Sequence, residues 1–119
     1  MRPFTFRLDP SDRDPFDSIH VGKVPHTSGI YVIFDIAGPI YAGRSRVDIN
    51  QRLWSHLHGS GNKNLALAMR VGASRSLTFS YCCLAREDQA DVERLLIAAL
   101  GVAKFANLRR EGLYEEDLL

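Results

Sequence analysis

The sequence predicts an α+β fold, a small α/β sandwich in which a sheet of about three strands is flanked by helices. Three observations predict it. Residues 30–34 (Ile-Tyr-Val-Ile-Phe) and 40–42 (Ile-Tyr-Ala) are β-branched and aromatic and flank Ala37-Gly38-Pro39, which is the composition of a hairpin and its turn. Two later stretches, opening at Asp48 and at Glu87, carry apolar residues at helical spacing behind acidic starts. Another β-rich run, Leu77 to Leu84, lies between them.

In chain order, residues 1–27 hold four of the five prolines and four Asp with little periodicity, which predicts an irregular arm with one short strand at Phe4 to Leu8. The hairpin follows from Gly29. Asp48 is placed to cap a helix running to about His58, with Ile49, Leu53, Trp54 and Leu57 on its apolar side and Gly59-Ser60-Gly61 as its stop. A second helix is expected from about Asn62 to Val71, ending at Gly72. After the third strand, a helix from Glu87 to about Leu100 has acids in its first turn, a buried stripe of Val92, Leu95, Leu96 and Ala99, and Gly101 as its stop.

Composition narrows the classes. The 119 residues are 45% hydrophobic and 24% charged, enough for one core and too few for two. The longest apolar run, Leu95 to Ala103, is about half of the roughly 20 residues a bilayer requires, so no membrane partner and a cytoplasmic location are expected. Cys82 and Cys83 are adjacent, and neighbouring strand side chains point to opposite faces, so they are expected as unpaired core or near-core residues. Zinc-ligand spacing is absent. The net charge of +1 hides an uneven distribution: six basic residues against Asp48 alone between Arg44 and Arg75, and five basic against eight acidic residues from Arg86 onward. The middle third is a candidate anion-binding surface.

Three groups call for chemistry beyond packing. Arg52 and His56, four apart on a helix, share one face, where a plain surface helix would leave both in water. His58 lies about 200° around from His56 and is not expected to chelate with it. Glu93 sits at the edge of the last helix's apolar stripe, where a half-buried carboxylate suits a hard cation such as Mg²⁺. Tyr31 and Tyr41, on the two hairpin strands, can converge on one face. Arg44 and Arg52 would lower the pKa of a phenol beside them toward the range where it accepts a proton.

Gly29-Ile30-Tyr31, Tyr41-Ala42-Gly43 ten residues later, Arg44-Ser45, Arg52-Leu53 with His56, a late Glu93 and Asn107 after it together resemble the GIY-YIG nuclease superfamily. The resemblance covers about residues 28–108 and leaves residues 1–27 as an arm and 109–119 as an acidic tail. It implies a three-stranded antiparallel sheet and phosphodiester hydrolysis with one divalent metal, Mg²⁺ or Mn²⁺. It further implies roles: Glu93 as metal ligand, Arg52 stabilising the phosphate in the transition state, Tyr31 activating the water, and Tyr41 positioning. His56 takes a position near the active site, and Asn107 that of an asparagine supporting the carboxylate region. Ala42 departs from the usual Ile or Val at a strand packing position. Arg44, Lys63, Arg70 and Arg75 are then expected to hold a nucleic-acid backbone, DNA before RNA, without reading sequence. The small size brings a homodimer or an accessory protein among the expected partners. Two other classes stand beside the enzyme: a non-catalytic nucleic-acid-binding module on the same fold, and a protein-interaction domain using the acidic tail.

Overall fold

The computed structural model describes residues 9–36, 38–58 and 77–100. Its centre is an antiparallel sheet of β1 (Asp14–Pro15), β2 (Gly29–Asp35), β3 (Gly38–Ser45) and β4 (Thr78–Cys83), in the order β1-β4-β2-β3. Among the described residues three helices accompany it, α1 (Ser18–Val21), α2 (Ile49–Leu57) and α3 (Arg86–Leu100). Strand β2 is apolar along nearly its whole length because both of its faces are covered. Ile30, Val32 and Phe34 pack with Ala42, Cys82, Val92 and Leu96 on the α3 side. Tyr31 and Ile33 pack with Tyr41, Phe79, Ile49 and Leu53 on the α2 side.

Register explains one irregularity in that alternation. Ile33 opposes Tyr41 and Phe34 opposes Pro39, so Ile40 is an extra residue in β3, and Ile40 and Tyr41 both join the α2-side cluster. The turn closes where Asp35 opposes Gly38, whose amide donates to Asp35 Oδ1 at 3.0 Å. Gly38 has φ of 142°, a conformation that side chains resist.

The sheet has four strands where three were expected, and the difference comes from the segment expected to be an irregular arm. From residue 9 onward that segment is built into the domain. A 3-10 turn (Pro10–Asp12) leads to β1, which pairs with the outer edge of β4. Phe16, Val21 and Val24 are buried in the α2-side core. Asn50 of α2 pins this segment, its Nδ2 donating to the carbonyls of Val21 (3.0 Å) and Val24 (2.8 Å). Arg13 lies 3.7 Å over the ring of Phe34. A two-residue strand containing a proline has no periodicity to read, which is why this part was not foreseen. The strand expected at Phe4 to Leu8 and the helix expected at Asn62 to Val71 lie outside the described residues.

Neither cysteine forms a disulfide; Cys82 is buried, whereas Cys83 is exposed and so departs from the expected core position. Among the described residues no helix is long and apolar enough to cross a membrane.

Gly29 shows how tightly the central strand is enclosed. A Cβ there would stand 2.5 Å from the carbonyl oxygen of Cys82 and 3.2 Å from Cys83 Cα, both backbone atoms that cannot rotate away. Gly29→Ala is expected to destabilise the domain by about 2–3 kcal/mol through strain in a packed region. A urea midpoint that falls with an unchanged m-value would register it, and an unshifted midpoint would refute it.

Candidate active site

The connection from β3 into α2 is fixed by side chains in sequence order. Ser45 Oγ accepts from the amides of Val47 (3.2 Å) and Asp48 (2.9 Å). Asp48 then caps α2, Oδ1 accepting from the Gln51 amide at 2.9 Å, while Oδ2 lies 2.8 Å from Nδ1 of His26. The Ile49 amide donates to the carbonyl of Thr27. Burial pushes the Asp48 carboxyl up, but the Gln51 amide, the His26 ring and the Asn50 amide together pull it below its ordinary value. A carboxyl lowered on folding contributes stability that is present above its unfolded value and is lost as pH falls through its folded one. Asp48→Ala is therefore expected to cost about 1 kcal/mol near neutral pH. The deficit should shrink as the buffer is taken to acid, which denaturant unfolding at stepped pH would reveal. A deficit independent of pH would mean that the charge plays no part in the cap.

With its start fixed, α2 turns Ile49, Asn50, Arg52, Leu53 and His56 inward. His56 is 1% exposed and Arg52 6%, whereas Trp54, expected on the apolar side, is 41% exposed and lies against His58, ring centroids 4.6 Å apart. A cation and an imidazole are thus buried in preference to an indole. Such burial is costly and is retained only where the groups are used or well paired.

His56 completes a ring cluster on the sheet. The Tyr31 hydroxyl and His56 Nε2 are hydrogen-bonded at 2.7 Å. Tyr41 stacks on Tyr31 at 6.1 Å between centroids and meets His56 edge-on at 5.0 Å. The two tyrosines converge as the hairpin spacing predicted, because Tyr31 opposes Gly43 and sits diagonal to Tyr41. Gly43 makes the cluster possible. A Cβ there would fall 2.7 Å from the Tyr31 hydroxyl oxygen and 2.7 Å from Tyr41 Cε2.

A second set lies toward α3. Arg44 opposes Ile30 in the hairpin and brings Nε to 3.7 Å from Oε1 of Glu93, which is 3% exposed and not half-buried as expected. Helix α3 is rotated from the expected stripe: Gln89, Val92, Glu93 and Leu96 are buried, while Leu95 is 59% exposed and Ala99 is also exposed. The amide nitrogen of Gln89 accounts for part of this rotation, donating to the carbonyls of Ser45 (2.9 Å) and Leu84 (3.1 Å).

The end of β3 joins the two sets. Ser45 holds Gln89 through its carbonyl and also lines a cleft of about 250 Å³ with Val47, Asp48, Gln51, Arg52 and Ser55. The structure thus gathers Tyr31, Tyr41 and His56 on the α2 side and Arg44 with Glu93 beside α3, with Arg52 in the cleft between α2 and the strand end. Arg44, expected near Tyr31 or phosphate, makes its ion pair with Glu93. Asn107, Lys63, Arg70 and Arg75 lie outside the described residues. Sequence reasoning passed over Gln89 and Asn50. The only signal for Gln89 was its place one turn before Glu93.

Among the described residues no three His, Cys, Asp or Glu side chains gather as metal ligands. A single buried carboxylate, completed by water and phosphate oxygens, is a donor set that suits Mg²⁺ or Mn²⁺ and not the closed nitrogen and sulfur cage of structural zinc.

The family model described as the GIY-YIG catalytic domain matches residues 27–101, from just before β2 to the end of α3 and well over half of the chain. The fold is that of a small nuclease-type α+β domain. The chain belongs to the GIY-YIG family, whose members are nucleases, generally dependent on a divalent metal, with nucleic acid as substrate. No curated relative and no solved structure matches it.

Proposed function

We propose that the chain is an endonuclease that hydrolyses phosphodiester bonds in DNA, with RNA as the less favoured substrate, using one divalent metal held by Glu93. The observation that carries this reading is the rotation of two helices: α2 buries Arg52 and His56 while exposing Trp54, and α3 buries Gln89 and Glu93 while exposing Leu95. Neither rotation maximises apolar burial, which is the default driving force for helix packing. Catalysis supplies a reason for both.

In-line attack on a phosphodiester needs a base for the water, charge neutralisation on the phosphate oxygens, and stabilisation of the leaving oxygen. A bound Mg²⁺ or Mn²⁺ polarises the phosphate and stabilises the leaving oxygen. Arg52 supplies fixed positive charge to the non-bridging oxygens from the cleft. Tyr31 takes a proton from the attacking water while its own hydroxyl proton passes to Nε2 of His56, 2.7 Å away. This requires the His56 tautomer with Nε2 unprotonated. Tyr41 holds both rings by contact. Arg44 neutralises Glu93 and sets its orientation.

One observation favours a second reading. Tyr31, Tyr41 and His56 are each at most 1% exposed, and a sealed phenol reaches no water. A nucleic-acid-binding module that keeps the rings as packing would look the same. Cleavage decides between them. Supercoiled plasmid, single-stranded DNA, branched DNA and RNA are incubated with Mg²⁺ or Mn²⁺, beside Glu93→Ala and Arg52→Ala. Metal-dependent cutting lost in both variants supports the enzyme, and salt-sensitive binding without cutting supports the module.

The basic middle third is proposed to hold the backbone. Converting Lys63 and Arg70 to Gln together is expected to reduce the slope of log affinity against log salt by about 1.8 on duplex DNA. An unchanged slope would remove both from the interface.

A further inference from the structure

Gln89 is 1% exposed, and its amide nitrogen donates to two carbonyls, Ser45 at 2.9 Å and Leu84 at 3.1 Å. Two acceptors on one side fix which end of the amide is nitrogen, since an oxygen there would face two other oxygens. The amide oxygen is therefore the opposite corner. It is buried and has no hydrogen-bond partner among the described residues. Buried acceptors in folded proteins are nearly always satisfied, and an exception calls for an explanation such as a bound ion or water.

Its position supplies one. Gln89 and Glu93 are four apart on α3 and share a face, both buried against the sheet. Helical side chains lean back toward the N-terminus, so the Glu93 carboxylate overlies the turn that carries Gln89. The same Ser45 that receives the Gln89 amide follows Arg44, whose guanidinium reaches Glu93. The amide is thus fixed to the strand end that meets the carboxylate.

We propose that Gln89 is a positioning residue for the divalent cation held by Glu93, its amide oxygen accepting a hydrogen bond from a water on that cation. The nitrogen end locks α3 to β3, and the oxygen end completes the cation's outer sphere. Outer partners of this kind typically tune metal affinity by about 10–100-fold. The inference rests on the reading of Glu93 as the metal ligand.

The test measures Mn²⁺ affinity without substrate, by calorimetry or electron paramagnetic resonance, on the full chain at a temperature where circular dichroism shows each variant folded. Wild type and Glu93→Gln come first: binding lost in Glu93→Gln establishes the ligand, and equal affinity in the two overturns that reading itself. Given the ligand, Gln89→Met is expected to weaken Mn²⁺ binding at least tenfold. A purely structural glutamine would lower the melting temperature and leave the affinity of the folded protein within twofold, and that result overturns the proposal. Gln89→Asn keeps both ends of the amide but draws them back by one methylene, and it is expected to weaken Mn²⁺ binding at least threefold. If Gln89→Met does not fold, this variant decides, and a loss of affinity smaller than threefold overturns the proposal.

Discussion

Glu93→Gln is expected to lower metal-dependent cleavage by at least about 10³-fold, corresponding to about 4 kcal/mol of lost transition-state stabilisation. The substitution keeps the side chain's shape in a site that is 3% exposed, so packing against the sheet changes little. What changes is charge. Glutamine cannot hold a divalent cation by carboxylate, and Arg44, 3.7 Å from Oε1 in the native chain, loses its counter-charge. Binding of nucleic acid should persist or tighten, because a buried negative charge facing phosphate has been removed. Single-turnover cleavage across a Mg²⁺ titration, paired with binding in the absence of metal, separates the two effects. Cleavage within tenfold of wild type at any metal concentration would remove Glu93 from the chemistry.

Tyr31→Phe is expected to slow cleavage by about 10²–10⁴-fold, the range spanned by loss of a positioned general base. It also breaks the 2.7 Å hydrogen bond to Nε2 of His56, leaving a buried ring nitrogen without that partner at a cost of about 1–3 kcal/mol. The two effects have different signatures. Loss of stability appears as a lower urea midpoint and is irrelevant to the rate of molecules that remain folded. Loss of the base slows the molecules that remain folded, which single-turnover cleavage at a temperature where the variant is folded reads directly. A folded Tyr31→Phe protein that cuts within threefold of wild type would reduce the three rings to packing and return the water's proton to another acceptor.

Much of the domain could be read along the chain. The hairpin follows from β-branched runs around a glycine turn, and the α2 cap follows from Asp48, whose Oδ1 does accept from the amide three residues on. The convergence of Tyr31 and Tyr41 follows from strand alternation and a short turn. The N-terminal segment was not legible, because β1 is two residues long and because Asn50 fastens the segment to α2 across more than twenty residues.

The helices divide along the same line. Periodicity located α2 and α3 and their ends, but it ranked Trp54 and Leu95 as core, and the molecule exposes both. Summed apolarity assigns a buried face as though any apolar surface were waiting, whereas the actual neighbour of α3 is the carbonyl of Ser45 and the guanidinium of Arg44. For α2 it is the hydroxyl of Tyr31. Local backbone preference, capping and turn chemistry act between residues a few positions apart and are therefore written in order along the chain. The rotation of a helix about its own axis depends on groups 25 to 49 residues away, and it is this rotation that places Arg52, His56, Gln89 and Glu93 inside.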